Sequence, residues 1–113
     1  MIINNEIQIP TERGLASICL KNIIQIEAIS NYSKLYMSST ISYKNGVVLK
    51  SNILVVAKVL KWFDKKLTPN GFIRIHRNRL VNINFVTNKT ANQVQLLNTD
   101  WFNISRRKRN CFN

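Results

Sequence analysis

Phe72-Ile73-Arg74-Ile75-His76-Arg77-Asn78-Arg79-Leu80-Val81-Asn82 is the stretch on which the reading of this chain turns. Its two apolar runs, Phe72 to Ile75 and Leu80 onward to Val86, read as strands that enclose a basic loop. Arginine presents a planar fork of five donors that grips a phosphate or guanine O6 and N7 in two places at once, and His and Asn add short donors beside it. Cations set where a strand ends can reach into the groove of a polyanion.

The same rhythm continues on either side. Toward the C-terminus Val94 and Leu96 alternate with polar residues, Asn98-Thr99-Asp100 turns the chain, and Trp101 to Ser105 runs into Arg106-Arg107-Lys108-Arg109. Toward the N-terminus Ile7 and Ile9 alternate before Pro10, and Leu15 to Leu20 and Ile23 to Ala28 read as strands parted by Lys21 and Asn22. Ile29 to Ser33 reads as a polar loop and Leu35 to Lys44 as a further strand. Asn45-Gly46 then suits a two-residue type I′ turn into Val47 to Lys50, because both residues tolerate positive φ.

One segment departs from the period of two. Ile53, Val56, Ala57, Leu60, Phe63 and Leu67 fall on a single helical stripe that Lys58, Lys61 and Lys65 avoid. Ser51 or Asn52 suits its N-cap, Lys65 and Lys66 suit its C-terminal end, and Thr68-Pro69-Asn70-Gly71 stops it. The expected fold is therefore mainly β, elongated antiparallel sheets with one short amphipathic helix at about 52–67. With 113 residues and no linker or repeat, it is expected as one domain over 1–113.

Hydrophobic residues make up 45% and charged residues 19%, a globular rather than disordered balance. Seventeen Lys and Arg against five Asp and Glu leave +12, which favours a polyanionic partner, nucleic acid or an anionic membrane surface. From Gly71 to Asn113 eight basic residues face Asp100 alone, so this stretch supplies +7 of the total. A membrane-surface helix needs its apolar side for the bilayer, and here the sheets need that side for a core. No basic leader and no apolar run of the ~18 residues required to span a bilayer is present, so a cytoplasmic protein without membrane attachment is expected.

Catalysis finds little support. There is one His, the acids Glu6, Glu12, Glu27, Asp64 and Asp100 are scattered, and neither a phosphate loop nor metal-ligand spacing occurs, so no catalytic residue, cofactor or metal is expected. A basic ribonuclease using His76 with Glu27 is the enzyme alternative; a His among arginines is more often a phosphate donor than a general base. Cys19 and Cys111 read as reduced thiols. RNA or single-strand binding ranks ahead of that enzyme, as the alternative to a duplex-DNA module. Its stacking residues would be Tyr32, Tyr36, Tyr43, Trp62, Phe72 and Trp101, most of which fall where the pattern puts core.

Three stretches in this order, Ile23-Ile-Gln-Ile-Glu27-Ala-Ile-Ser-Asn31-Tyr32, Phe72 to Asn82, and Asn103-Ile-Ser105-Arg106-Arg107, resemble the LytTR family of bacterial transcription-factor DNA-binding domains. The resemblance covers the chain from about residue 5, and Phe-x-Arg-Ile-His-Arg followed by Leu-Val-Asn is its specific part. It implies antiparallel sheets with a small helix, and loops inserted into successive major grooves of double-stranded DNA. By position, Ser33, Arg77 and Arg107 would contact bases, and Asn31, Lys34, His76, Asn78, Ser105 and Lys108 phosphates. Arg74, Glu27 and Asn82 have readier structural roles: Arg74 bracing a strand, Glu27 as its ion-pair partner, Asn82 capping a turn.

The family often has Ser and an aromatic where Asn78-Arg79 stands here, a difference that bears on the operator. It also implies direct repeats as targets, two copies head to tail or as a homodimer on DNA, and control by a receiver domain or sensor partner. Neither Asp64 nor Asp100 belongs to an acidic cluster able to accept phosphate, so that control is expected from outside these residues.

Overall fold

In the computed structural model residues 2–3, 5–39, 41–43, 48–49, 52–97 and 100–108 are described. Among them β1 (Ile2–Ile3), β2 (Glu6–Thr11) and β3 (Gly14–Cys19) come first, then β4 (Ile23–Ile29), β5 (Tyr32–Met37), β6 (Ile41–Tyr43), β7 (Val48–Leu49) and β8 (Ile53–Val56). The one α-helix among the described residues, α1 (Leu60–Leu67), leads to β9 (Phe72–His76) and β10 (Arg79–Asn82), followed by β11 (Val86–Lys89), β12 (Gln93–Leu96) and β13 (Trp101–Asn103).

These strands build three antiparallel sheets, ordered β1-β2-β3-β6-β7, β8-β5-β4-β10-β9 and β11-β12-β13. The molecule measures 44 × 26 × 25 Å, the elongated, mainly β form expected of the sequence. Among the described residues no helix is long and apolar enough to cross a membrane.

Alternation within each strand decides which face is buried. Ile7 and Ile9 on β2, Ala16 and Ile18 on β3, and Ile23, Ile26 and Leu35 on β4 and β5 meet α1 through Leu60, Phe63 and Leu67, forming the larger core. A smaller core lies on the opposite face of the central sheet, where Ile75 and Val81 pack against Val94, Leu96 and Ile104. Leu80 and Val81 are neighbours in sequence and both 0% exposed, one in each core. Buried on both sides, β9 and β10 carry the near-continuous apolar runs that the sequence shows there.

The expected helix over 52–67 is corrected at its N-terminal half. Ile53–Val56 pairs with β5 as an edge strand, Leu35 opposite Leu54 and Ser33 opposite Val56. Leu54, off the helical stripe, is buried at 7%, whereas Ile53, on it, is 39% exposed. Three β-branched residues in four stiffen this segment toward the pleated conformation, and the β5 ladder satisfies its backbone along one side. The helix starts instead after Val59, with no side-chain cap. Asn52 gives its carbonyl to Met37 N at 2.8 Å, and Ser51 lies outside the described residues. The C-terminal end is as anticipated, with Lys65 and Lys66 in the last turn, a 3-10 turn at Thr68–Asn70, and Gly71 at φ 92. That left-handed geometry favours glycine.

Three further boundaries differ. The loop expected over Ile29 to Ser33 contracts to Ser30-Asn31, Ser30 taking φ 55 so that Ile29 and Tyr32 can face each other. The strand expected over Leu35 to Lys44 divides at Ser38, whose N–H and hydroxyl both go to Asn22 O, and β6 continues in the other sheet. β6 and β7 pair antiparallel as expected, while Asn45-Gly46 lies outside the described residues. The run from Leu80 to Val86 is interrupted because Asn82, 3% exposed, accepts from Asn84 N and donates to Ile23 O, capping a 3-10 turn at Ile83–Phe85.

The strand assignment of β8 separates two truncations. Leu54→Ala is expected to cost about 2–5 kcal/mol of unfolding free energy, as for a buried leucine, and Ile53→Ala less than half as much. Urea denaturation of both variants checks this, and a helical segment 53–67 would reverse the order.

Candidate nucleic-acid interface

Two hairpin tips share one end of the central sheet. β4 and β10 are antiparallel, with Arg79 opposite Glu27, so the Arg77-Asn78 turn between β9 and β10 lies beside the Ser30-Asn31 turn between β4 and β5. A backbone bond from Ala28 N to Asn78 O, 2.8 Å, ties the second tip to the stem of the first. The C-terminal segment joins from the other side: Ser105 N donates to Ile75 O at 2.7 Å, and Lys108 N to Ser105 O at 2.9 Å folds Arg106 to Lys108 into one tight turn. Residues some thirty positions apart in sequence thereby line one cleft.

That cleft is open, about 560 Å³, and is walled by Arg74, His76, Arg77, Arg106, Arg107 and Lys108, with Ser105 at its edge. Five of these side chains are cations and none of the lining residues is a carboxylate. Arg77, Arg106 and Arg107 are exposed; His76, Ser105 and Lys108 are half-buried. Clustered like charges repel one another, so the surface is stabilised when a polyanion supplies the missing negative charge. His76 Nδ1 accepts from Asn78 N at 3.4 Å, which leaves Nε2 as the ring's outward donor.

The tip is braced from beneath. Arg74 pairs with Asp64 of α1 at 3.2 Å, and its Nε and Nη2 donate to the carbonyls of His76 and Arg77. One planar fork therefore spans helix and turn and fixes the backbone that carries Arg77. Bracing was the role expected of Arg74, but its partner is corrected: Glu27 pairs instead with Arg79 at 3.1 Å, because Arg79 faces it in the strand register. Arg79 also donates to Gln25 Oε1 and stacks 4.3 Å over the Phe102 ring. Where the resemblance led to an aromatic being expected, this arginine sits over one and acts as a strut.

Among the other expected contacts, Asn31 is exposed at its tip. Ser33 is placed differently from its expected role: it is 0% exposed on the core face of β5, and its hydroxyl donates to Lys58 O at 2.6 Å, fastening the segment between β8 and α1. Lys34 points to the opposite face, with its Nζ 5.1 Å from the centre of the Tyr36 ring. The structure thus gathers His76, Arg77, Asn78, Ser105, Arg107 and Lys108, keeps Asn31 at the same end, and leaves Ser33 off the surface. Arg106, to which the sequence reading gave no contact, lines the cleft beside Arg107. Its signal was present in the basic run, but the spacing gave no reason to rank one member over the next.

The aromatics divide unlike a stacking platform. Phe72 is buried, Trp62 lies half-buried between Lys58 and Lys66, and Tyr32 and Trp101, 50% and 43% exposed, stand on separate sheets.

Comparison with known proteins bears on the same surface. Curated proteins give no sequence match. Among solved structures, a Bacillus cereus chain described as the LytTr DNA-binding domain of a response regulator superposes with TM-score 0.64 over 97% of this chain and 94% of its own, at 18% identity. At that identity the likeness establishes a shared fold. The family model for the LytTr DNA-binding domain matches residues 13–113, nearly the whole of the chain and all of the cleft. The chain therefore belongs to the LytTR family of DNA-binding domains.

Proposed function

We propose that this domain binds double-stranded DNA in a sequence-specific manner by lowering its hairpin tip and its C-terminal turn into the major groove. The observation that carries this reading is the cleft formed where Ser105 docks on β9: five cations, no carboxylate, and a turn held rigid by Arg74 and Asp64. Arg77 and Arg107 reach base edges, with Arg106 beside them; His76, Asn78, Ser105 and Lys108 hold phosphates, and Asn31 and Lys34 extend the grip from the first hairpin. Ser33 acts indirectly, by fixing the backbone between β8 and α1.

In the cell the domain serves as a transcriptional regulator in the cytoplasm, as the output domain of a response regulator or under a sensor partner. It recognises direct repeats, on which two copies lie head to tail. Selection from random duplexes, with single-stranded DNA and RNA as competitors, tests the reading. Enriched direct repeats are expected, and preference for single strands would turn the assignment to the alternative. With about five phosphates neutralised, log affinity should fall against log salt with a slope of about −4 to −5.

Reading and holding separate by mutation. Arg77→Ala or Arg107→Ala should cost about 1–3 kcal/mol on the selected site and relax preference at one base pair, while Lys108→Ala weakens all duplexes alike and lowers the slope by about one. Titrations on selected and scrambled duplexes distinguish these outcomes; equal losses on both for Arg107→Ala would remove it from the reading set.

The brace makes a different prediction. Arg74→Lys keeps the charge but cannot span Asp64 and two carbonyls, so binding to the selected duplex should weaken by about 1 kcal/mol with the salt slope unchanged. Unchanged affinity on that duplex would remove Arg74 from the support of the cleft.

A further inference from the structure

A second open cleft, about 540 Å³, adjoins the cationic one and shares His76, Ser105 and Arg106 with it. Its far wall comes from the third sheet: Thr90, Asn92 and Gln93 at the turn before β12, and Asn103 at the end of β13. Backbone bonds hold that turn in place, Thr90 N to Gln93 O at 2.8 Å and Ile104 N to Asn92 O at 2.7 Å, the second fixing it directly beside Ser105.

Several side-chain acceptors here are already engaged, two by backbone N–H groups and one by a neighbouring amide. Thr90 Oγ1 accepts from Asn92 N at 3.3 Å and Gln93 N at 3.1 Å, which leaves its O–H to donate. Asn103 Oδ1 accepts from Gln93 Nε2 at 3.0 Å, which turns its NH2 to other partners. His76 Nδ1 is likewise occupied by Asn78 N. What remains free is mostly donors: the hydroxyls of Thr90 and Ser105, the Asn103 amide, His76 Nε2 and the Arg106 guanidinium. The rotatable Asn92 amide can turn its NH2 inward to join them, Gln93 Oε1 stands against them, and no carboxylate among the described residues lines the cleft.

We infer that this cleft is a phosphate subsite of largely neutral donors, which takes a backbone phosphodiester lying beyond the base pairs that Arg77 and Arg107 reach. The inference rests on the DNA-binding reading above and adds to it a fourth contacting element, the Thr90–Gln93 turn. Neutral donors displace no condensed counterions of their own. The Thr90–Gln93 turn therefore adds affinity without steepening the salt dependence, the charge of Arg106 already belonging to the cationic cleft, and it lengthens the footprint toward the third sheet.

Asn92 is exposed and holds the fold through its backbone carbonyl, so its side chain can be changed with the turn intact. On the selected duplex, Asn92→Ala should lower affinity about threefold to tenfold, the range of one hydrogen bond, at an unchanged salt slope. Asn92→Asp should lower it further, both variants keeping the wild-type melting temperature. Independently of any variant, replacing flanking phosphates one at a time by uncharged methylphosphonates should reveal one position outside the core site that weakens the wild-type protein and leaves Asn92→Asp unaffected. Inorganic phosphate should release DNA no better than potassium chloride of equal ionic strength; specific release would make this a site for free phosphate and overturn the inference. Wild-type affinity in both Asn92 variants, or no such phosphate position, would also overturn it while leaving the DNA-binding reading in place. Failure of the wild-type protein to bind any duplex would end both.

Discussion

Leu80 and Val81 have no exposed surface and face opposite ways, one toward α1 and the first sheet, the other toward β12 and Ile104. Each fully buried aliphatic side chain contributes about 1.5–3 kcal/mol of hydrophobic stabilisation, so β10 is held from both sides at once. A slip of one residue in its register would exchange the two cores and expose neither, while carrying Arg79 to the wrong face; the partners of Arg79 on one side remove that degeneracy. Glu27, Gln25 and the Phe102 ring all lie on the face that Val81 uses, so the polar strut selects which of two nearly equivalent apolar registers is occupied. The position of the Arg77-Asn78 tip follows, because β10 begins one residue after it.

The basic end of the sheet depends on that anchoring. Cations crowded around one cleft repel, and a mobile hairpin would relieve the repulsion by spreading. Here the turn between β9 and β10 has two residues, the Arg77 carbonyl held by Arg74 and the Asn78 carbonyl by Ala28 N, and the C-terminal segment is pinned to Ile75 by Ser105. Little conformational freedom is left to lose on meeting DNA, and ordering costs of about 0.5–1.5 kcal/mol per immobilised side chain are confined to the arginines themselves. Asp64 contributes from the helix without lining the cleft: it neutralises the one arginine that works inward and leaves those facing outward unpaired with it.

Much of this was legible in the sequence wherever one period ruled a segment. The strands from Leu15 to Ala28, the pair around His76-Arg77-Asn78 and the stripe Leu60, Phe63, Leu67 all follow from local alternation and turn residues. Ile53 to Val56 did not, since an apolar stripe at helical spacing and a strand of alternating burial share Val56, and the choice was made by β5, a partner distant in sequence. Ser33 shows the same limit. Its position in a hairpin was readable, but which face it takes depends on the length of the turn before it, and shortening that turn to Ser30-Asn31 sends the hydroxyl to Lys58. The partners of Arg74 and Glu27 were likewise set by sheet register, which no spacing between residues 27 and 74 encodes. Neither does the sequence announce the Thr90–Gln93 turn, whose donors are made available by bonds formed after folding.

The helix illustrates why loops carry the contacts in this architecture. α1 spans eight residues, about two turns, and three of them, Leu60, Phe63 and Leu67, are buried to close the larger core. Removing it to reach a groove would open that core, and Leu60, Phe63 and Leu67 together hold far more than the stability of a domain this size can spare. The hairpin tip and the C-terminal turn have the opposite energetics. Their backbones are satisfied within the sheet and by Arg74, Ala28 and Ile75, while Arg77, Arg106 and Arg107 extend from them with no share in either core. Sequence change at these outward positions can alter what is bound without altering what is folded, whereas change at Arg74 or Arg79, identical in charge, acts on the scaffold.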